Sequence, residues 1–135
     1  MNKEDKIRQT EANTKWEKRK YSSLILENYP NVLEISLDLQ LDYPNAFSIH
    51  KNHFTPKFNP TDKAYFEISC INKDCLFSDL DLDNEIRNTI NQKLDFFKGH
   101  KICNGYNTFS CYERKQGTCM TRLDYEIKIK YKNAL

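Results

Sequence analysis

The chain is poor in glycine and proline, with three and four respectively. That scarcity excludes long low-complexity linkers and collagen-like repeats. No run of about 18 apolar residues occurs, so no helix is expected to cross a membrane. The first residues, Met1-Asn2-Lys3-Glu4-Asp5-Lys6, are charged and lack the apolar core of a secretory signal, and a reducing cytoplasm is the expected compartment. There is no Gly-rich phosphate loop, no G-x-S-x-G and no H-E-x-x-H. Only three histidines occur, with no recognisable catalytic constellation around them, so the expectation leans away from an enzyme. No tight C-x-x-C pair is present either.

Cysteine itself is not scarce, with five in 135 residues. In a reducing compartment clustered thiols bind metal or do chemistry more often than they pair, and an odd count fits a closed disulfide framework poorly. Cys70 and Cys75 close a short loop, and Cys103 follows a helix-like stretch. Cys103-Asn104-Gly105 resembles half of a zinc knuckle, because glycine two places after a thiolate lets backbone N–H groups turn toward the sulfur. The expected ligands are Cys70, Cys75, Cys103 and Cys119, the last chosen because it leads directly into a strand. Cys111 and His100 are the alternates for the fourth place. Four thiolates suit tetrahedral zinc, and a site closed by four protein ligands is structural. The competing reading is that these are small buried side chains, for which cysteine is well suited.

Residues 3–28 read as a helix: Lys3 to Lys20 holds no Gly or Pro and is rich in helix formers. Its apolar stripe is weak until Tyr21, Leu24 and Ile25, so its second half is expected to dock and its first half to project. From Val32 to Asp42 apolar Leu33, Ile35, Leu37, Leu39 and Leu41 alternate with polar residues, which predicts a strand with one buried face. Shorter strands are expected over 47–53 and 63–71. Leu82, Ile86, Ile90, Leu94 and Phe97 at helical spacing predict a helix over 79–97, ended by Lys98-Gly99-His100. Arg122 to Lys132 alternates again. Acidic Glu34, Asp38 and Asp42 on the first long strand complement Lys128, Lys130 and Lys132 on the last, so the two are expected to pair antiparallel. The fold class is α+β: one small domain, an antiparallel sheet of four or five strands packed by two helices, with a zinc-stapled Cys-rich loop region. Its division is a helix over 1–28 and an α+β body over 29–135.

Charge is uneven. Residues 1–21 carry seven basic and four acidic side chains, residues 22–95 six and twelve, and residues 96–135 eight and three. Lys15, Lys18, Arg19 and Lys20 surround Trp16, a pattern that can grip phosphates and stack bases or meet a protein partner. The acidic middle argues against a continuous positive field for nucleic acid. His50-Lys-Asn-His53 and His100 are the candidate groups of a metal-dependent hydrolase, although an odd separation points the first two to opposite faces of a strand. Asp79, Asp81, Asp83 and Glu85 begin like a calcium loop but lack its glycine at Asn84 and its glutamate at Ile90, and helix capping explains them better. The sequence therefore predicts a zinc-stabilised adaptor working through a protein partner, with nucleic-acid binding as the alternative and hydrolysis as a second one.

Overall fold

A computed structural model describes residues 3–44, 49–72, 75–107 and 117–132. The fold is α+β, as the two periodicities imply. In chain order the described elements are helix α1 (Lys3–Lys20), the single turn α2 (Ile25–Asn28), strands β1 (Val32–Pro44), β2 (Ile49–Phe54), β3 (Lys57–Phe58) and β4 (Cys75–Leu76), helix α3 (Asp83–Asn91), and strands β5 (Phe96–Ile102), β6 (Tyr106–Asn107), β7 (Gly117–Thr118) and β8 (Arg122–Tyr131).

The main sheet runs β2-β1-β8-β5, with β3 also paired to β1, and every pairing is antiparallel. Its centre is the long ladder between β1 and β8, from Val32 opposite Tyr131 to Asp42 opposite Arg122. Ile35, Leu37, Leu39 and Leu41 meet Ile129, Ile127, Tyr125 and Leu123 on one buried face. Burial of that apolar face drives the pairing, at roughly 25 cal/mol per Å². The charge complementarity is narrower than the sequence implies. Only Glu34 and Lys130 form the expected ion pair, at 3.3 Å. Asp38 stands opposite Glu126 and instead bonds His53 Nε2 at 2.8 Å, while Asp42 faces Arg122 and Lys51.

The start of β1 departs from the simple alternation. A register shift between Val32 and Glu34 turns Val32 into the core and leaves Leu33 47% exposed. A bulge moves one residue off the two-residue period, and so reverses the face of its neighbour.

The first helical segment is broken. The Ser22 hydroxyl bonds back to the Lys18 carbonyl, and Ser23 gives its own carbonyl to the Ala64 N–H. These local bonds compete with the helix ladder. The Lys63 ammonium then caps the end of α1 through the carbonyls of Lys20 and Ser22, at 3.2 and 2.9 Å. A cation suits this negative end of the helix dipole.

The second helix is shorter than its apolar stripe. It ends at Asn91, and Lys93 adopts a left-handed φ of 57°. Leu94 N–H reaches the Thr89 carbonyl and Lys93 N–H the Ile90 carbonyl, the paired bonds of a Schellman stop. Phe97 and Gly99, expected at the end of this helix, belong to β5 and pair with Ile127 and Tyr125. Gly99 lies under the Tyr125 ring: a Cβ there would sit 2.6 Å from its hydroxyl oxygen. The strand expected over 63–71 is present only as single bridges, Leu24 with Lys63 and Glu67 with Asp81.

Candidate metal centre

Four chain segments converge on the thiols. Cys70 ends the stretch that bridges to Asp81, and Cys75 opens β4. Cys103 follows β5, and Cys119 lies between β7 and β8. A small second sheet, ordered β4-β6-β7, ties two of these loops together. Backbone bonds then fix the rest: Cys103 N–H to the Thr121 carbonyl, Met120 N–H to the Cys103 carbonyl, and Cys119 N–H to the Gly105 carbonyl. Because β5 and β8 are neighbours in the main sheet, Cys103 and Cys119 inherit their positions from it.

The ligand atoms of Cys70, Cys75, Cys103 and Cys119 all lie within 4.8 Å of one another. Cys70 and Cys119 sulfurs are 3.5 Å apart, and those of Cys75 and Cys103 are 3.7 Å apart. None of these four thiols is in a disulfide. Tetrahedral zinc with bonds of about 2.3 Å to sulfur sets its ligands roughly 3.8 Å apart, so the arrangement can hold a metal ion of that kind. Cys103 and Cys119 are fully buried, while Cys70 and Cys75 are partly buried.

Polar neighbours surround the sulfurs. Thr121 Oγ1 lies 3.1 Å from Cys119 Sγ and 3.3 Å from Cys70 Sγ. Asn72 donates its amide to Cys119 at 3.2 Å, and Gly105 its backbone N–H to Cys103 at 3.4 Å. Such donors stabilise thiolates and orient them. Two of the loops turn through left-handed residues, Phe77 (φ 59°) and Met120 (φ 65°). Gly105 answers a different need. A Cβ there would stand 2.5 Å from Cys75 Sγ and 2.9 Å from the Leu76 carbonyl oxygen.

The proton affinities of the four thiols split. Hydrogen bonds from Cys103, Cys70 and Cys75 hold Cys119 far below the usual thiol range. At Cys103 the contact with Cys119 pushes upward, but bonds from Cys70 and Cys75 together prevail and draw it to about 6. Cys75 and Cys70 are pushed up, each first by Cys103 and then by Cys119. One cluster cannot carry several adjacent negative charges unaided, and a bound cation removes that obstacle.

The other candidates fall elsewhere. Cys111 lies outside the described residues, as does the side chain of His50. His100 is exposed on β5 opposite Asp124 and takes no part in the cluster. His53 sits on β2, so two strands separate it from His100, and the pair are roughly 14 Å apart by sheet spacing. They cannot share one ion. The acidic run near α3 is structural bracing. Asp79 accepts from the Asn104 N–H, Asp81 and Glu67 hold Lys18, Asp83 accepts from the Phe66 N–H, and Glu85 holds Lys101.

On α1 the basic stripe divides. Lys15 pairs with Glu11 and Glu67, and Lys18 with Glu67 and Asp81. Trp16 and Tyr21 face outward, 62% and 77% exposed, and Lys20 Nζ lies 5.0 and 5.4 Å from their ring centres. The residue types were legible in sequence, but the acids that engage Lys15 and Lys18 were not, because Glu67 and Asp81 are brought there by the fold.

Fold and site together define a small α+β domain carrying a four-cysteine cluster able to hold a metal ion. Searches of family models, of curated proteins and of solved structures find no match to this chain.

Proposed function

We propose that the chain is a non-enzymatic, zinc-stabilised binding module that works through contact with a protein partner. The observation that carries this reading is the four-sulfur cluster. Four protein sulfurs fill a tetrahedral shell, which leaves no open position for water or substrate, so the ion staples loops rather than reacts. Zinc is the expected ion because thiolate-only sites of this geometry favour it.

The contact surface is the outer side of α1. Trp16, Lys20 and Tyr21 form an exposed ring–cation–ring group, of the kind enriched where proteins meet. Lys15 and Lys18 face the body and hold the helix to it. The test has two arms. Elemental analysis of protein purified without chelator should find one zinc per chain. A Trp16→Ala/Tyr21→Ala variant should keep its fold and metal but lose the partner captured by the wild type. Unchanged capture would remove α1 as the contact, and metal-free protein of undiminished stability would remove the staple.

Nucleic-acid binding is the second reading, favoured by Lys20 and Arg19 beside two exposed rings. It is weaker because Lys15 and Lys18 are neutralised by carboxylates. It requires affinity that falls steeply with salt, and loss on changing Arg19 and Lys20 to Glu.

A further inference from the structure

A groove of about 650 Å³ opens beside the main sheet, with Cys70 of the sulfur cluster in its lining. Its floor is the apolar face of β1 and its flanking strands, with Leu37, Leu39, Phe54 and Phe58. Phe54 is 47% exposed although its partner Leu39 is buried. The opposite wall is the stretch from Tyr65 to Ile71, and every residue of it lines the groove. One edge of this stretch faces away from its Leu80–Leu82 partner.

That edge is unpaired among the described residues. The stretch bonds on its far side: Ile68 N–H to the Leu80 carbonyl, Leu82 N–H to the Phe66 carbonyl, and Phe66 N–H to Asp83. Around the Glu67–Asp81 bridge the bonding alternates, so the backbone groups of Tyr65, Glu67 and Ser69 point the other way. An open row of N–H and C=O groups is a template for another strand.

The lining also has a sign. Glu67 already receives Lys15, Lys18 and the Tyr65 hydroxyl. The Lys63 ammonium is held by two carbonyls. Arg19 and Lys57 line the groove and form no ion pair among the described residues. Asp62, the other carboxylate of the lining, accepts from the Asn59 N–H, so Arg19, Lys57 and Lys63 leave the lining net positive.

We propose that this groove binds an extended segment of a partner protein in which apolar and acidic residues alternate. It adds as a strand along Tyr65–Ser69, lays its apolar side chains on Phe54, Pro56 and Phe58, and turns its carboxylates toward Arg19 and Lys57. Main-chain bonds supply affinity and the apolar floor supplies selectivity, as in other strand-addition complexes. The inference rests on the chain being a binding module but not on α1 being the contact.

The test uses the full, metal-loaded protein. Amide exchange comes first. Ile68 should be protected, while Tyr65, Glu67 and Ser69 exchange fast; equal protection along the stretch would mean that the edge is not free, and would overturn the proposal. A synthetic peptide of about ten residues, long enough to span the wall and alternating valine with aspartate, is then titrated and followed by amide chemical shifts. It should saturate, move the amides of Tyr65, Glu67 and Ser69, and slow their exchange. Phe54→Glu and Lys57→Glu should each weaken it by about tenfold or more, the scale of losing an anchor. No saturation at millimolar peptide would overturn the proposal. So would equal binding of a valine–lysine peptide, or saturation by laurate with those three amides unmoved, which would mark a lipid cavity. Failure here leaves capture through Trp16 and Tyr21 untouched, whereas lost capture with peptide still bound would sink only the α1 contact.

Discussion

Gly105 shows how strongly one residue can be constrained by a cluster it does not ligate. Its sequence signal was its place two residues after Cys103, which suggested a turn of N–H groups toward sulfur, and its N–H does point to Cys103 Sγ. The stronger reason was not legible: Cys75, 30 residues earlier, brings its sulfur to where a side chain would begin. Gly105→Ala must displace either that sulfur or the backbone of β4, both of which hold the site. We expect this variant to bind zinc at least about tenfold more weakly, as disturbed metal surroundings commonly do. A competition titration with a chromogenic chelator measures it, and unchanged affinity would show that the sulfurs have room to move. Thr121, buried between Cys70 and Cys119, makes a companion case. Thr121→Val keeps the shape but removes the hydroxyl that accepts from Cys70 and can give its one proton to the Cys119 thiolate, so affinity should fall while the apo fold is retained.

At the scale of elements, the long strands were readable because each exposes one wet face and buries one dry one. β1 and β8 kept that alternation over most of their length, and it announced their pairing. The junction of α3 and β5 was not readable, because Leu94 and Phe97 continue the helical spacing although the chain has already turned. The stop is made by a lysine in a conformation that usually selects glycine. Lys93→Gly removes the cost of holding a side chain at positive φ, about 1 kcal/mol. Lys93 is exposed and little packing is lost, so the variant should unfold at higher denaturant, with no change in zinc content. Destabilisation instead would mean that the lysine side chain contributes a contact that outweighs the backbone strain. Along the β1–β8 ladder the energetic weight lies on the dry face. Lys130→Ala removes an exposed ion pair and should change stability by less than about 1 kcal/mol. Ile127→Ala opens a cavity among fully buried side chains and should cost about 2–5 kcal/mol. Denaturant titrations of the two variants decide whether charge or burial holds these strands.

For the whole molecule, on the proposed reading of a zinc-stapled module, the decisive variables are the ion and the proton. Cys103 and Cys119 belong to the same core as the main sheet, with Cys70 and Cys75 packed against it, but the loops carrying the four thiols close on one another mainly through short strands and single bridges. Metal binding to the folded chain stabilises it by mass action, so a strong chelator should lower the unfolding temperature and loosen these loops before the sheet. Acid should do the same. A coordinated thiol is deprotonated, so its folded-state pKa lies below its unfolded value near 8.5. A depressed group contributes stability that is present above the unfolded pKa and lost as the pH falls through the folded one. Cys119 and Cys103 are already depressed without an ion, Cys103 to about 6, whereas Cys70 and Cys75 are raised and must surrender their protons to the metal. Zinc-dependent stability should therefore be largest near pH 8 and fall steadily as the pH drops, because Cys70 and Cys75 must each give up a proton to bind the ion. Melting curves of zinc-loaded and chelated protein, recorded across that fall, should converge toward its acid end. If the two curves stay the same distance apart from pH 8 to pH 5, the ion is not held by thiolates, and the four sulfurs are no more than a buried cluster.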